Sequence, residues 1–279
     1  MFRVRRLLAP FVLCIALLFS EAQAFTIAWL SDTQNYHNAY KPIFDGMTQW
    51  IADNREALDI RFVFHTGDVV GSWSSEDQWR QARESMGILS SASIPFLTVC
   101  GNHDIGYRMN YANFLKYVLS LRPASMSQEY GDTGSRYELF SANGRDYIFM
   151  GIAFSNKGPS EDEVNWINGV LRQYSSRDAI IITHSYLKKS ASYTTQGKAI
   201  FEKIVKANPN VFLVLCGHCR DISYKNVQLD DDGDGDPDRT VYAILSNFQG
   251  SKAGGGGYMR ILDFRDSDIY TVSYTHLTL

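Results

Sequence analysis

Ile94-Pro95-Phe96-Leu97-Thr98-Val99-Cys100-Gly101-Asn102-His103-Asp104 sets a short apolar run directly against a glycine and three side chains able to bind a metal or move a proton. The same juxtaposition recurs along the chain. Phe25–Leu30 ends at Ser31-Asp32-Thr33-Gln34, and Ile60–His65 ends at Thr66-Gly67-Asp68. Residues 179–183 end at His184, and Val211–Cys216 ends at Gly217-His218. Short runs rich in Val, Ile and Phe with such boundaries read as buried strands.

Between these runs lie segments of helical period. Residues 40–57 carry Ile43, Phe44, Met47, Trp50 and Ile51 on one face, and 76–89, 111–119, 161–174 and 197–207 read the same way. Residues 137–140 and 147–154 read as strands joined by a turn at Asn143-Gly144, and 221–229, 239–245 and 258–264 close the chain with further strands. Strands alternating with helices imply a sheet covered by helices. Ligands of such folds gather outside the carboxyl ends of the strands, where these polar residues fall.

In order, spacing and position, Asp32-Thr33-Gln34, Gly67-Asp68, Gly101-Asn102-His103-Asp104, His184 and Gly217-His218 resemble the calcineurin-like metallophosphoesterase superfamily. That pattern reads D-x-H, G-D, G-N-H-D/E, a lone H and G-H-x-H. The likeness runs from Asp32 to His218 and more loosely to Phe264. It implies an α/β fold: an αββα sandwich of two mixed sheets flanked by helices, with a metal site at the strand ends. The implied activity is hydrolysis of a phosphate mono- or diester by metal-activated hydroxide.

Phosphate-ester chemistry explains these residue types. Two cations about 3.5–4 Å apart neutralise developing charge and lower the pKa of water toward about 7. The resemblance gives Asp68 the bridging role, Asn102, His184 and His218 to one ion, and Asp32 and Gln34 to the other. His103 would reach the phosphate or the leaving oxygen, with Asp104 orienting it. Imidazole suits Zn and Fe, and oxygen donors suit harder ions such as Mn, so one or two ions of Mn, Fe or Zn are expected. Gly67, Gly101 and Gly217 are expected to turn the chain at positive φ, with Asn102 a candidate for strained backbone.

Two departures fall on one metal position. Gln34 stands where the pattern has its first His, and Arg220 where it has its last. Three readings stay open. Oxygen ligands including Gln34 hold a second, harder ion; a single ion works with Arg220, whose guanidinium fork clamps phosphate; or the protein is a catalytically degenerate metal binder. Gln249 is either a further oxygen ligand or an ordinary polar residue at a strand end.

Other features compete for attention. Cys216-Gly217-His218-Cys219 also reads as the dithiol of protein disulfide isomerases, so a thiol–disulfide oxidoreductase using Cys216 and Cys219 is the rival function. A redox dithiol should open a helix in a thioredoxin-like unit, whereas strands follow here. Cys100 also directly precedes a motif glycine, which leaves a disulfide with Cys216 open. The segment Asp230-Asp231-Asp232-Gly233-Asp234-Gly235-Asp236-Pro237-Asp238 resembles a weak calcium loop, or an acidic β-turn: Val241 stands where a bidentate acid is needed. His65 is expected to be a buried, hydrogen-bonded histidine. Trp73 and Tyr107 either flank substrate or pack, His37 lies at the site mouth or in solvent, and residues 254–257 form a flexible loop.

The ends read differently from the middle. Arg3, Arg5 and Arg6, the apolar stretch 7–19 and Ala22-Gln23-Ala24 have the order of a signal peptide, residues 1–24. The apolar stretch is short for a membrane span, so no span is expected after cleavage, and an exported protein, periplasmic or extracellular, is. Residues 25–271 form the expected domain. Residues 272–279 resemble a translated sequencing adapter, which sets His276 aside; a genuine strand is the alternative. A chain with 45% apolar residues, 20% charged residues and a net charge of −3 is ordinary for one globular domain. With no basic run, no nucleic-acid surface is expected. The expected partner is a phosphate-ester small molecule or an exported phosphorylated substrate.

Overall fold

The computed structural model describes residues 24–121, 128–265 and 268–275. The expected signal peptide lies outside the described residues except for Ala24.

Among the described residues, ten of the twelve strands come from the runs expected above. The first sheet has the order β12-β11-β1-β2-β3, from Asp268–Thr275, Tyr258–Arg265, Phe25–Leu30, Ile60–His65 and Phe96–Thr98. The second has the order β4-β5-β6-β7-β8-β10-β9, from Gln128–Tyr130, Ser135–Ala142, Arg145–Ile152, Asp178–Thr183, Val211–Cys216, Arg239–Asn247 and Asp221–Leu229. Both sheets are mixed. Parallel pairing joins β1, β2 and β3 in one sheet and β6, β7, β8 and β10 in the other.

The sheets face each other across an aromatic layer. Phe62, Phe64 and Phe149 are fully buried there, and Phe149 meets both of the others edge-on at 4.9 Å. Phe25 stacks on Phe264 at 4.6 Å. Offset and edge contacts of this kind add about 0.5–1.5 kcal/mol to the area buried. On the outer face of the first sheet lie α1 (Lys41–Asp53) and α2 (Glu76–Ser91), burying Phe44, Met47, Ile51, Trp79 and Met86. On the outer face of the second lie α3 (Glu161–Gln173) and α4 (Thr195–Ile200), the latter running into a π turn at Phe201–Val205. The αββα sandwich is therefore the observed fold.

Differences from the sequence reading are local. The first helix stops at Asp53 rather than residue 57, because the Asn54 side chain donates to the Trp50 carbonyl at 2.8 Å and ends the turn. The edge strand β4 carries no clear apolar period. β12 pairs with all of β11 and includes Val272 to Thr275, the first part of the segment set aside as adapter; residues 276–279 lie outside the described residues.

Phe149→Ala should cost about 3–5 kcal/mol by opening a cavity between the sheets. Urea unfolding of the metal-free protein measures it.

Candidate metal centre

The site spans both sheets. β1, β2 and β3 deliver Asp32, Asp68 and Asn102, while β7 and β8 deliver His184 and His218. Several hydrogen bonds tie the halves together. The His218 backbone N–H donates to the Asp32 carboxylate at 3.1 Å, and His184 Nδ1 lies 2.8 Å from the Thr66 carbonyl. A ring nitrogen facing a carbonyl carries its proton, so His184 presents Nε2 to the site.

That Nε2 lies 3.1 Å from Asn102 Oδ1, 3.2 Å from His218 Nδ1 and 3.4 Å from Asp68 Oδ2. The ligand atoms of Asp68, His184 and His218 lie within 4.8 Å of one another. Four electron-rich atoms facing one point repel each other unless a positive charge sits among them. Imidazole, amide oxygen and carboxylate together are a fitting donor set for a divalent ion. The electrostatics agree. Burial opposes charge on His184, yet the carboxylates of Asp68 and Asp32 hold its pKa up at about 9. Burial opposes ionisation of Asp68 too, but His184 and His103 hold it below the ordinary carboxylate range. Burial and the charge on His184 push His218 down to about 4. Phe154 closes one side, its ring centre 5.7 Å from His184 and 5.9 Å from His218.

Backbone strain sits on the acids and a histidine rather than where it was expected. Asp32, Asp68 and His218 have φ of 53°, 55° and 69°. Left-handed non-glycine residues cost about 1–3 kcal/mol each and persist only where their surroundings force them. Of the three motif glycines, Gly67 alone has positive φ. Gly101 has φ −104° and is needed for space: a Cβ there would lie 2.2 Å from Asp68 Oδ1. A Cβ at Gly217 would lie 2.2 Å from Asp32 Oδ2. Asn102 begins a short helix (Asn102–Ile105) without strain.

Asp104 does not orient His103. Its carboxylate points inward, accepting from Val69 N at 2.8 Å, Val70 N at 3.0 Å and Gly101 N at 2.8 Å. Successive side chains on a helical turn diverge by about 100°, so the pair cannot share a direction. Asp104 instead binds the loop after β2 to the loop after β3. Burial and the nearby Asp68 push it up to about 7, against three N–H donors that favour the ion. His103 is exposed, and its Nδ1 lies 3.0 Å from the Gly71 carbonyl, a backbone partner that no sequence pattern could reveal. On the same two loops Trp73 and Tyr107 meet edge to face at 6.4 Å, and Tyr107 is 79% exposed. An added Cβ at Gly71 would lie 3.7 Å from His37 Nε2, which puts His37 beside the same loop.

The residues expected to hold a second ion are arranged less simply. The Ser31 hydroxyl donates to Asp32, which burial, partly offset by His184, pushes up to about 7. Gln34 Nε2 donates to Asp68 Oδ2 at 3.2 Å and to Gln249 Oε1 at 2.8 Å, and Gln34 Oε1 is buried without a hydrogen-bond partner. Arg220 joins none of these groups. It is exposed and lines a cleft of about 440 Å³ with Lys189, Asn247 and Phe248.

His65 and the cysteines are accounted for by packing. His65 is buried, accepts from Gly67 N at 3.1 Å and faces Thr33 Oγ1 at 3.0 Å, and burial pushes it down to about 3. Cys100, Cys216 and Cys219 are free thiols, and Cys100 and Cys216 pack in different clusters. Cys216 is the last residue of β8 and burial pushes it up to about 12. A redox dithiol needs an accessible thiolate, so the oxidoreductase reading has no structural support. Asp230, Asp232 and Asp238 bring carboxylate oxygens within 4.8 Å on the exposed β9–β10 turn, where Asp230 also accepts from Gly233 N and Gly235 N at 2.7 and 2.9 Å.

Comparison with known proteins agrees with this geometry. Residues 25–219 match the family described as "Calcineurin-like phosphoesterase". The chain belongs to the calcineurin-like phosphoesterase family. A relative, the "Uncharacterized protein YvnB" of Bacillus subtilis (strain 168), is 41% identical over 244 residues; the match covers 86% of this chain and 19% of that protein, so the chain spans about a fifth of its length. The solved structure titled "GAP50 the anchor in the inner membrane complex of Plasmodium" has a TM-score of 0.58 at 15% identity, covering 90% of this chain and 84% of that one. Purple acid phosphatase PPD1 from yellow lupin (Lupinus luteus) seeds has a TM-score of 0.57 at 13% identity, covering 92% and 55%. The 5'-nucleotidase of Candida albicans SC5314 has a TM-score of 0.52 at 14% identity, covering 85% and 47%. At these identities the structures share the phosphoesterase fold. Family membership implies divalent ions, and the donor set around His184 fits them.

Asp104→Asn should cost about 1–3 kcal/mol, because an amide cannot accept from all three buried N–H groups. Chemical denaturation of the metal-free phosphoesterase domain checks this.

Proposed function

We propose that this domain hydrolyses a phosphate mono- or diester, with Asp68, Asn102, His184 and His218 holding one metal ion and Asp32, Gln34 and Asp68 a second. The observation that carries the reading is the convergence of Asn102 Oδ1, His218 Nδ1 and Asp68 Oδ2 on His184 Nε2 at 3.1–3.4 Å. When bound, divalent ions neutralise phosphate charge and make water acidic enough to ionise near neutral pH.

The chain's own residues do the rest. Asp68 faces both metal positions, held by His103 N at 2.9 Å and Gln34 Nε2 at 3.2 Å. His103 is exposed beside Asp68, and its Nδ1–H donates to Gly71, which leaves Nε2 to carry a proton to the leaving oxygen. Arg220, in the adjoining cleft, supplies a guanidinium fork for an anionic group of the substrate. Export to the periplasm or the cell exterior is supported by the leader-like residues 1–24. Among the described residues no helix is long and apolar enough to cross a membrane. The substrate is then a phosphate-ester small molecule or an exported phosphorylated molecule.

Asp68→Asn and His218→Ala should each abolish turnover of p-nitrophenyl phosphate and bis-p-nitrophenyl phosphate, while Cys219→Ser leaves it intact. Undiminished turnover in both ligand variants would sink the reading. His103→Gln should lower kcat by about 10²–10⁴ with metal content unchanged, as expected for lost proton transfer; steady-state kinetics with metal analysis tests this.

A further inference from the structure

Gln34 and Gln249 are 215 residues apart, yet their side chains meet at the metal centre. The amide nitrogen of Gln34 lies between two oxygens, 3.2 Å from Asp68 Oδ2 and 2.8 Å from Gln249 Oε1. A donor held between two acceptors marks a point where positive charge is favoured. Turning the Gln34 amide by about 180° exchanges its nitrogen for its oxygen at nearly constant shape. That oxygen is the one buried without a partner. A buried carbonyl oxygen left unbonded is costly, and a cation would satisfy it.

Gln249 is also built into place. Its backbone N–H donates to Asn247 Oδ1 at 2.9 Å, and Asn247 Nδ2 donates to the His218 carbonyl at 3.0 Å. Its carbonyl accepts from Asn35 Nδ2 at 3.5 Å, which ties it to the loop that carries Gln34. The loop after β10 is thus fastened to ligand loops of both sheets.

We propose that Gln249 is a ligand of the second metal position, which Asp32, Gln34, Asp68 and Gln249 complete as an all-oxygen site selective for a hard ion such as Mn²⁺ over Zn²⁺. The two departures from the family pattern then have one explanation: Arg220 lines the neighbouring cleft, and an amide from a different loop takes up coordination. Oxygen donors without imidazole suit Mg²⁺, Ca²⁺ and Mn²⁺, whereas zinc prefers nitrogen and sulfur. The His184–His218 position keeps its imidazoles, so the centre holds one softer and one harder site. This deepens the phosphoesterase reading and rests on it for metal binding at Asp68.

Metal-free protein is titrated with Mn²⁺ and, separately, with Zn²⁺, with bound ions counted by calorimetry and, for Mn²⁺, by electron paramagnetic resonance. Wild type should bind two Mn²⁺ per chain but one Zn²⁺ tightly. Gln249→Ala should weaken one Mn²⁺ by about 10–100-fold and leave the other unchanged. Gln249→Glu should tighten that same ion, and it carries the test if the alanine variant does not fold. Unchanged Mn²⁺ affinities in both variants, or a single Mn²⁺ on wild type, would overturn the assignment. Two Mn²⁺ with Gln249-dependent affinity but no phosphatase turnover would support the assignment and overturn the phosphoesterase reading instead.

Discussion

The structure is organised around the field of two buried carboxylates. Asp32 and Asp68 are each about 1% exposed, and each lies where ionisation must be supported by something other than water. Backbone N–H groups of His103 and His218, the Ser31 hydroxyl, the Gln34 amide and the His184 ring supply that support. These partners come from separate loops, so the loops must be held in register to a fraction of an ångström. The left-handed backbone at Asp32, Asp68 and His218 is the visible cost.

Because the ligands come from two sheets, the aromatic layer between them acts on the chemistry. Phe62, Phe64 and Phe149 set the separation of β2 from β6 and its neighbours, and through it the distance between Asp68 and His184. Parallel strands bring their carboxyl ends to one edge, which is why sequence-distant residues meet there. Asp104 is the matching device within the first sheet. With three backbone N–H groups on one carboxylate, it makes the β2 and β3 loops a single rigid unit. Its place in the motif beside His103 reflects that bracing role and not a shared direction.

Relatives frame the rest. The half of the candidate centre built on His184 and His218 keeps the residues of the pattern that the sequence resembles, in a chain that belongs to the family. The other half departs from that pattern at Gln34 and Arg220. Gln34 and Gln249 meet there, and Arg220 lines a cleft with Lys189 and Asn247.

Much of this was legible in the sequence. Five apolar runs ending in Asp, Asn, His or Gly located β1, β2, β3, β7 and β8 with the candidate ligands at their ends, and residue pattern located five further strands, because strand burial and metal coordination each demand particular side chains at particular places in the chain. His65 could be read as a packing residue for the same reason. Tertiary structure alone decided which neighbours those side chains meet. The strained positions fell on Asp32, Asp68 and His218 because loops from both sheets compete for the same space, which also explains why Gly101 and Gly217 must lack a Cβ. The Gly71 carbonyl orients His103, and Gln249 meets Gln34, through contacts that span 32 and 215 residues. A backbone carbonyl has no sequence signature, and Gln249, readable from sequence either as an oxygen ligand or as an ordinary polar residue, meets Gln34 only through the fold.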